Sequence, residues 1–241
     1  MYVIVPMAGD GERFKEAGMG PYKPFISILG ESILERTVAS VPDHLVTNYI
    51  FGIREDHNRL YSVKEKLQEI YPECLVVLLP RTKGNLETAL MTCELARVPE
   101  DESVLFLDCD NPFYLEGVDN YISGKAPIKL CGFSNHELSD KWCYVNRVGG
   151  RVKSVHEKDP SSAGTMPLAL IGFFHFETAQ IFKELAHQVL EGDITTKGEA
   201  YMSLSIARAL QQGIDVAVID VDKFYPLGTP EDVRQTIENL Y

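Results

Sequence analysis

Two short stretches of the chain carry residue types suited to chemistry. The first is Gly9-Asp10-Gly11-Glu12-Arg13, followed ten residues later by Lys23 within Pro21-Tyr22-Lys23-Pro24. Glycines two apart let backbone N–H groups come close to phosphate oxygens. Arg13 offers a planar fork to a phosphate, and Lys23 a compact point charge. Together they describe a pocket for a polyanion. A tight strand-to-loop turn with surface cations uses the same residue types, so the glycine spacing alone leaves both readings open. The second stretch is Leu105–Pro112, LFLDCDNP. Asp108 and Asp110 stand two apart at the end of an apolar run, which in a strand puts both on one side. Carboxylates there suit Mg²⁺, which takes one or two of them and leaves its other positions to water and substrate phosphates. Asp and Asn are also turn formers, and a plain strand-end turn is the alternative.

Positioning these groups requires strands that end beside them. Tyr2–Val5 reads as a buried strand running into the glycine loop, and Val104–Leu107 as a second one running into Asp108. Between them the pattern predicts a helix over Ser32–Val41, a strand over Tyr49–Ile53 and a mostly polar helix over Asn58–Ile70. A buried strand over Cys74–Leu79 and a helix over Glu87–Ala96 follow. Strand and helix alternate with short connections, so the fold class is α/β, with a mainly parallel sheet covered on both faces. Ligands of such sheets bind beyond the carboxyl ends of the strands. The second half changes rhythm. Trp142–Arg147 and Arg151–His156 flank Gly149-Gly150, a hairpin signal. A strand over Ala169–Phe176, helices over Ala179–Leu190 and Ala200–Gln211, a strand over Val216–Val221 and a helix over Pro230–Leu240 complete the chain.

The chain has 241 residues, enough for a well-buried core, and no stretch of it reads as a linker or a repeat. One compact domain is expected. Its 23 Lys and Arg against 35 Asp and Glu leave a net charge of −12, which argues against nucleic acid or an anionic membrane as partner. Any phosphate site must therefore be a local positive pocket, aided by a divalent cation. Five scattered cysteines without a C-x-x-C pair predict buried free thiols rather than disulfides or a zinc site. No signal-like or membrane-length apolar run is present, so a cytoplasmic location is expected.

The run PMAGDGERF…PYKPFISILGESILERTV resembles the signature of the nucleotidyltransferase superfamily, which joins a nucleotide to a phosphorylated small molecule. Gly9, Gly11, Arg13, Lys23, Pro24 and Gly30 match in order, with Tyr22 standing between Pro21 and the lysine as a departure. The resemblance covers nearly the whole chain and weakens beyond residue 130. It implies a Rossmann-like mixed, mainly parallel sheet of the GT-A kind. Residues 1–125 would then serve the nucleotide and residues 126–241 the acceptor.

What the resemblance implies about residues is specific. Arg13 and the Ala8, Gly9 and Gly11 backbone hold the nucleotide's phosphates, and Lys23 offsets charge at the α-phosphate. Asp110 holds Mg²⁺, with Asp108 the weaker candidate. Gly84, with Thr82 beside it, packs on the base, although a plain loop at a helix N-terminus is the alternative reading of PRTKGNLETAL. Lys158 binds the acceptor phosphate, although Asp159 precedes the expected proline and a Glu157–Lys158 surface pair is the alternative. Gly172 and Glu199 contact the acceptor. Leu227–Val233, LGTPEDV, matches the family's closing segment, but Pro226 stands where many members carry a second metal-binding aspartate. Asp222, directly after a strand, is the expected replacement; Asp110 alone is the other option. The implied reaction takes an NTP, with CTP favoured by Ala8-Gly9, and a phosphorylated acceptor such as a sugar phosphate for surface polysaccharide. A homodimer stays open. So do two other functions: a glycosyltransferase reading of the D-x-D at Asp108–Asp110, and a non-catalytic nucleotide-binding regulatory subunit.

Overall fold

The first strand, β1 (Tyr2–Met7), explains the centre of the molecule. Val3, Val5 and Met7 join one apolar cluster while Ile4 joins another, as a period of two demands of a strand with both faces covered. A strand of that kind sits inside a sheet. It pairs in parallel with β2 (Asn48–Arg54) on one side, and β3 (Leu75–Leu79) follows β2 in the same sense. On the other side of β1 lies β4 (Val104–Leu107), also parallel.

The computed structural model describes residues 1–135, 138–164 and 167–239. Leu240, where the sequence places the end of the terminal helix, lies outside them. The remaining strands of this sheet are β5 (Ile128–Ser134), β6 (Cys143–Val148), β7 (Arg151–Glu157), β8 (Leu168–Phe176) and β9 (Val216–Asp220). Among the described residues they extend one nine-stranded mixed sheet in the order β3-β2-β1-β4-β8-β5-β9-β7-β6. Parallel pairing holds in the first four strands and between β5 and β9. Elsewhere the pairing is antiparallel, because β8 turns back between β4 and β5 and the Gly149-Gly150 hairpin joins β6 to β7. The expected mixed sheet is present, and its mainly parallel character belongs to the first half.

Helices cover both faces: α1 (Glu12–Glu16), α2 (Ile33–Val38), α3 (Glu55–Tyr61), α4 (Val63–Ile70), α5 (Asn85–Leu95), α6 (Ala179–Glu191), α7 (Met202–Gln211) and α8 (Pro230–Asn239). Two expectations need correction. The single helix over Asn58–Ile70 is two, because Ser62 takes a left-handed conformation at φ 50° and redirects the chain before Val63. The run at Cys74–Leu79 is an edge strand rather than a buried one, with Leu75 and Leu78 exposed. All five cysteines are free, as the composition led us to expect. Among the described residues, no helix is long and apolar enough to cross a membrane.

Candidate active site

The carboxyl ends of β1, β2 and β4 lie along one edge of the sheet, where the chain builds three cavities that share walls. The middle cavity is lined by Gly9, Gly11, Lys23, Asp108 and Asp110. Here Lys23 Nζ donates directly to Asp110 Oδ2. Burial works against the ammonium, but the Asp110 carboxylate outweighs it and raises the Lys23 pKa above the ordinary lysine range. Lys23 therefore stays charged.

Asp108 is placed differently, although it stands only two residues away. Its backbone N–H donates to the Gly172 carbonyl at 2.9 Å, and its side chain lies across Gly172. A Cβ on Gly172 would come within 2.1 Å of Asp108 Oδ2, and the residue has φ +77°, so only glycine fits there. Burial, and then the neighbouring Asp110 charge, push the Asp108 pKa up to about 8. At neutral pH Asp108 is thus mostly a carboxylic acid, whereas the Asp110 side chain pairs with Lys23. The bulge in β8 between Leu170 and Phe173 brings Gly172 to this point.

A second cavity opens beside the first, with Arg13, Asp110, Lys158, Gly172 and Tyr201 among its walls. Arg13 sits on α1, exposed, and no carboxylate among the described residues pairs with it. Lys158 follows β7 with φ +54°, an uncommon conformation for a residue with a side chain. Its ammonium donates to Tyr201 Oη and lies 4.3 Å above that ring. Burial, and then the Glu199 carboxylate, raise the Tyr201 pKa above the usual phenol range, so its hydroxyl stays protonated.

The third cavity, of about 480 Å³, is lined by Ala8, Gly9, Asp10, Arg54, Thr82, Gly84 and Glu199. That volume falls in the range of small-molecule sites. Gly84 is required by close approach: a Cβ there would meet the Ala200 carbonyl oxygen at 2.4 Å. The Thr82 hydroxyl is 2.6 Å from that of Thr88, which donates to the Gly84 carbonyl and tightens the first turn of α5.

The structure corrects one assignment and places another. Glu199, expected beside the acceptor, lines the cavity of Gly84 and Thr82 and lies against Tyr201 of the second cavity. The reason is backbone pairing: Ala200 N–H donates to the Lys83 carbonyl and Leu86 N–H to the Ala200 carbonyl, which ties this segment to the Gly84 loop. Asp222, expected as a metal ligand, is not brought to Asp110. The stretches Phe113–Tyr114 and Lys223–Phe224 form an antiparallel ribbon, so Leu227 N–H meets the Asp110 carbonyl while Asp222 N–H meets that of Tyr114. The two aspartates thus belong to opposite ends of the ribbon. The Asp222 carboxylate instead accepts the Glu116 N–H at 2.7 Å.

Several site residues escaped sequence reasoning. Arg54, at the end of β2, is buried between Asp10 and Asp56 and donates to both. Arg81 adds a second cation to Asp10 at 2.6 Å. Although burial opposes it, Arg54 and Arg81 hold the Asp10 carboxyl below the usual range. An acidic residue between the two glycines, with an arginine closing the next strand, was the available signal. Tyr201 and Lys141 carried none.

For a divalent ion the donor set is small. Among the described residues, no group of three or more His, Cys, Asp or Glu is arranged to hold one. The Asp110 carboxylate, largely buried and paired with Lys23 on the wall of the glycine-loop cavity, is a donor set of the size that suits Mg²⁺, which fills most of its shell with water and substrate oxygens.

No family model matches the chain, and no curated protein does. Solved structures do. A nucleoside-diphosphate-sugar pyrophosphorylase from Vibrio cholerae RC9 superposes with a TM-score of 0.79 at 21% identity, covering 98% of this chain and 99% of that one. The inositol-1-phosphate CTP transferase from T. maritima gives 0.75 at 18%, covering 99% and 95%. A UDP-glucose pyrophosphorylase complexed with UDP-glucose gives 0.76 at 17%, covering 100% and 98%. These likenesses establish the fold: the chain has the α/β architecture of the sugar-phosphate nucleotidyltransferase structures along its whole length.

Proposed function

We propose that this chain is a nucleotidyltransferase that moves a nucleoside monophosphate from an NTP to a phosphorylated small molecule and releases pyrophosphate. The observation that carries this reading is the junction at Asp108 and Asp110, with Lys23 paired to Asp110. There the cavity of the glycine loop shares a wall with the cavity of Arg13, Lys158 and Gly172. The nucleotide would lie over Ala8, Gly9, Gly11, Thr82 and Gly84, with Glu199 at its side, and the acceptor phosphate beside Lys158. On this reading residues 1–125 serve mainly the nucleotide and residues 126–241 the acceptor, with Arg13 and Glu199 each crossing the divide.

The acceptor phosphate attacks the α-phosphorus in line. One P–O bond forms, the α–β bridging P–O bond breaks, and its electron pair leaves with pyrophosphate. A phosphate monoester has its second pKa near ~6, so the nucleophile is already largely dianionic at neutral pH and needs no base. The chain's work is positioning and charge neutralisation. Arg13 steadies the phosphate oxygens from the acceptor side of the loop. Lys23 offsets charge at the α-phosphate, and Lys158, its ammonium oriented by Tyr201, holds the acceptor. Asp110 would hold Mg²⁺, which when bound supplies further positive charge against the triphosphate.

Ala8 before Gly9 supports CTP as donor, and a CTP transferase is among the similar structures. A sugar phosphate destined for surface polysaccharide is the favoured acceptor, and the reaction belongs in the cytoplasm, where nucleoside triphosphates are made. Asp108 lies over Gly172 and Asp110 pairs with Lys23, an arrangement that argues against a glycosyltransferase's paired D-x-D carboxylates. The test is pyrophosphate release across the NTPs and a panel of phosphorylated sugars, polyols and amino alcohols. Release with one pair well above the rest supports the reading; no release with any pair overturns it.

A further inference from the structure

A second lysine faces the cavity of Arg13 and Lys158, and neither motif nor resemblance assigns it. Lys141 Nζ donates to both carboxylate oxygens of Asp232, each at 2.5 Å. It also lies 4.7 Å above the Trp142 ring. Asp232 is well buried, on the first turn of α8, and its carboxylate also accepts the Thr229 hydroxyl at 2.7 Å. Thr229 Oγ1 in turn accepts the Asp232 N–H at 3.1 Å, which fixes the hydroxyl that holds the carboxylate. An anchored carboxylate fixes the lysine it pairs with.

The direction of that lysine is what matters. Lys141, Gly228 and Thr229 line the same cavity as Arg13, Asp110 and Lys158. Gly228 separates two carboxylates: a Cβ on it would lie 3.4 Å from Asp110 Oδ2 and 3.7 Å from Asp232 Oδ2. Each carboxylate carries its own lysine, Lys23 on Asp110 and Lys141 on Asp232. An ammonium has three donors, and Asp232 takes two of them. The third is left for a ligand in the cavity. Pro226 cannot supply a second carboxylate to this site, and its carbonyl accepts the Thr236 hydroxyl at 3.0 Å.

We propose that Lys141 is an anion-binding residue of this cavity, aimed by Asp232, that holds the phosphoryl oxygens of a phosphate monoester together with Lys158. The phosphate ester as substrate rests on the reaction proposed above; the anion site itself does not.

The test uses the full chain and inorganic phosphate, followed by isothermal titration calorimetry, with pyrophosphate release measured separately. Lys141→Met should lower phosphate affinity about tenfold, the loss expected for one charge-assisted hydrogen bond. Lys141→Arg should keep most of that affinity. Because Lys141→Met leaves Asp232 buried without its partner, a Lys141→Met/Asp232→Asn pair removes both charges and gives a folded reference. Weakened phosphate binding in the double variant, with an unchanged far-UV spectrum, supports the site. Wild-type affinity in both methionine variants, or no measurable phosphate binding by the wild type, overturns it and leaves Lys141 as a structural partner of Asp232. Phosphate binding lost on substitution in a protein that releases no pyrophosphate with any substrate would sink the reaction and keep the anion site.

Discussion

Arg13 carries its charge on a five-residue helix, exposed, with no carboxylate among the described residues to neutralise it. A cation left unpaired at the mouth of a cavity is available for phosphate, and its removal does not disturb the core. Arg13→Ala should therefore keep the wild-type Tm and lose at least ~2.7 kcal/mol of transition-state stabilisation, about a hundredfold in kcat. A folded Arg13→Ala protein turning over at the normal rate would remove the residue from the site. The two aspartates ask for the opposite contrast. Asp110 faces the phosphate cavity, whereas Asp222 spends its carboxylate on Glu116 N–H at the far end of the ribbon. Asp110→Asn should need far more Mg²⁺ for half-maximal rate, and Asp222→Asn should not. A raised Mg²⁺ requirement in the Asp222 variant would show that the ribbon rearranges to deliver it.

At the scale of elements, the loop from α1 to α2 is set by the one residue that departs from the expected motif. Tyr22 is buried, its hydroxyl donates to the Met7 carbonyl at 3.1 Å, and its ring stacks on Tyr61 with centroids 5.4 Å apart. His57 meets the same ring edge-on. Tyr22 thus ties the segment bearing Lys23 to the end of β1 and to α3. Tyr22→Leu keeps apolar bulk but loses the hydroxyl and the stack. It should cost kcat on the order of tenfold through misplaced Lys23, with less effect on KM for the nucleotide. An unchanged kcat well below the variant's own Tm would reduce Tyr22 to a packing residue. What was legible in the sequence follows the same division. The glycine loop, Lys23, Asp110, Lys158 and Gly172 were readable because strand ends and local spacing place them, and the structure brings them to adjoining cavities. Asp222 was misplaced, and the position of Glu199 beside the Gly84 loop was not foreseen, because long-range backbone pairing sets both, with Tyr114 and Glu116 in one case and Lys83 and Leu86 in the other. The break at Ser62 and the exposure of Leu75 and Leu78 were hidden for a related reason: apolar periodicity shows which residues are apolar, not where the chain bends or a sheet stops.

For the molecule as a whole, the sheet carries a polar group that no part of the proposed chemistry uses. His175 lies on β8, between Leu105 of β4 and Lys129 of β5. It is 2% exposed, and neither ring nitrogen has a hydrogen-bond partner among the described residues. Burial, and then the positive charges of Lys129 and the N-terminus, lower its pKa to about 3. An unfolded histidine titrates near ~6.5. Between those values the unfolded chain binds a proton that the folded chain refuses, so the folded state loses stability as the pH falls. The contribution is complete above about pH 6.5 and is withdrawn on the way down to about 3, at up to ~1.4 kcal/mol per pH unit. His175→Phe removes the titrating group and leaves an apolar ring among Leu105 and its neighbours; His175→Leu serves if the larger ring does not fit. Carboxylates also destabilise the fold in acid, but they do so equally in both proteins, so the difference between the two curves isolates His175. We expect the urea midpoint of the variant to fall less steeply than that of the wild type between pH 6.5 and 4. Parallel curves across that interval would mean that His175 is protonated within the fold, and that the sheet accommodates its charge beside Lys129.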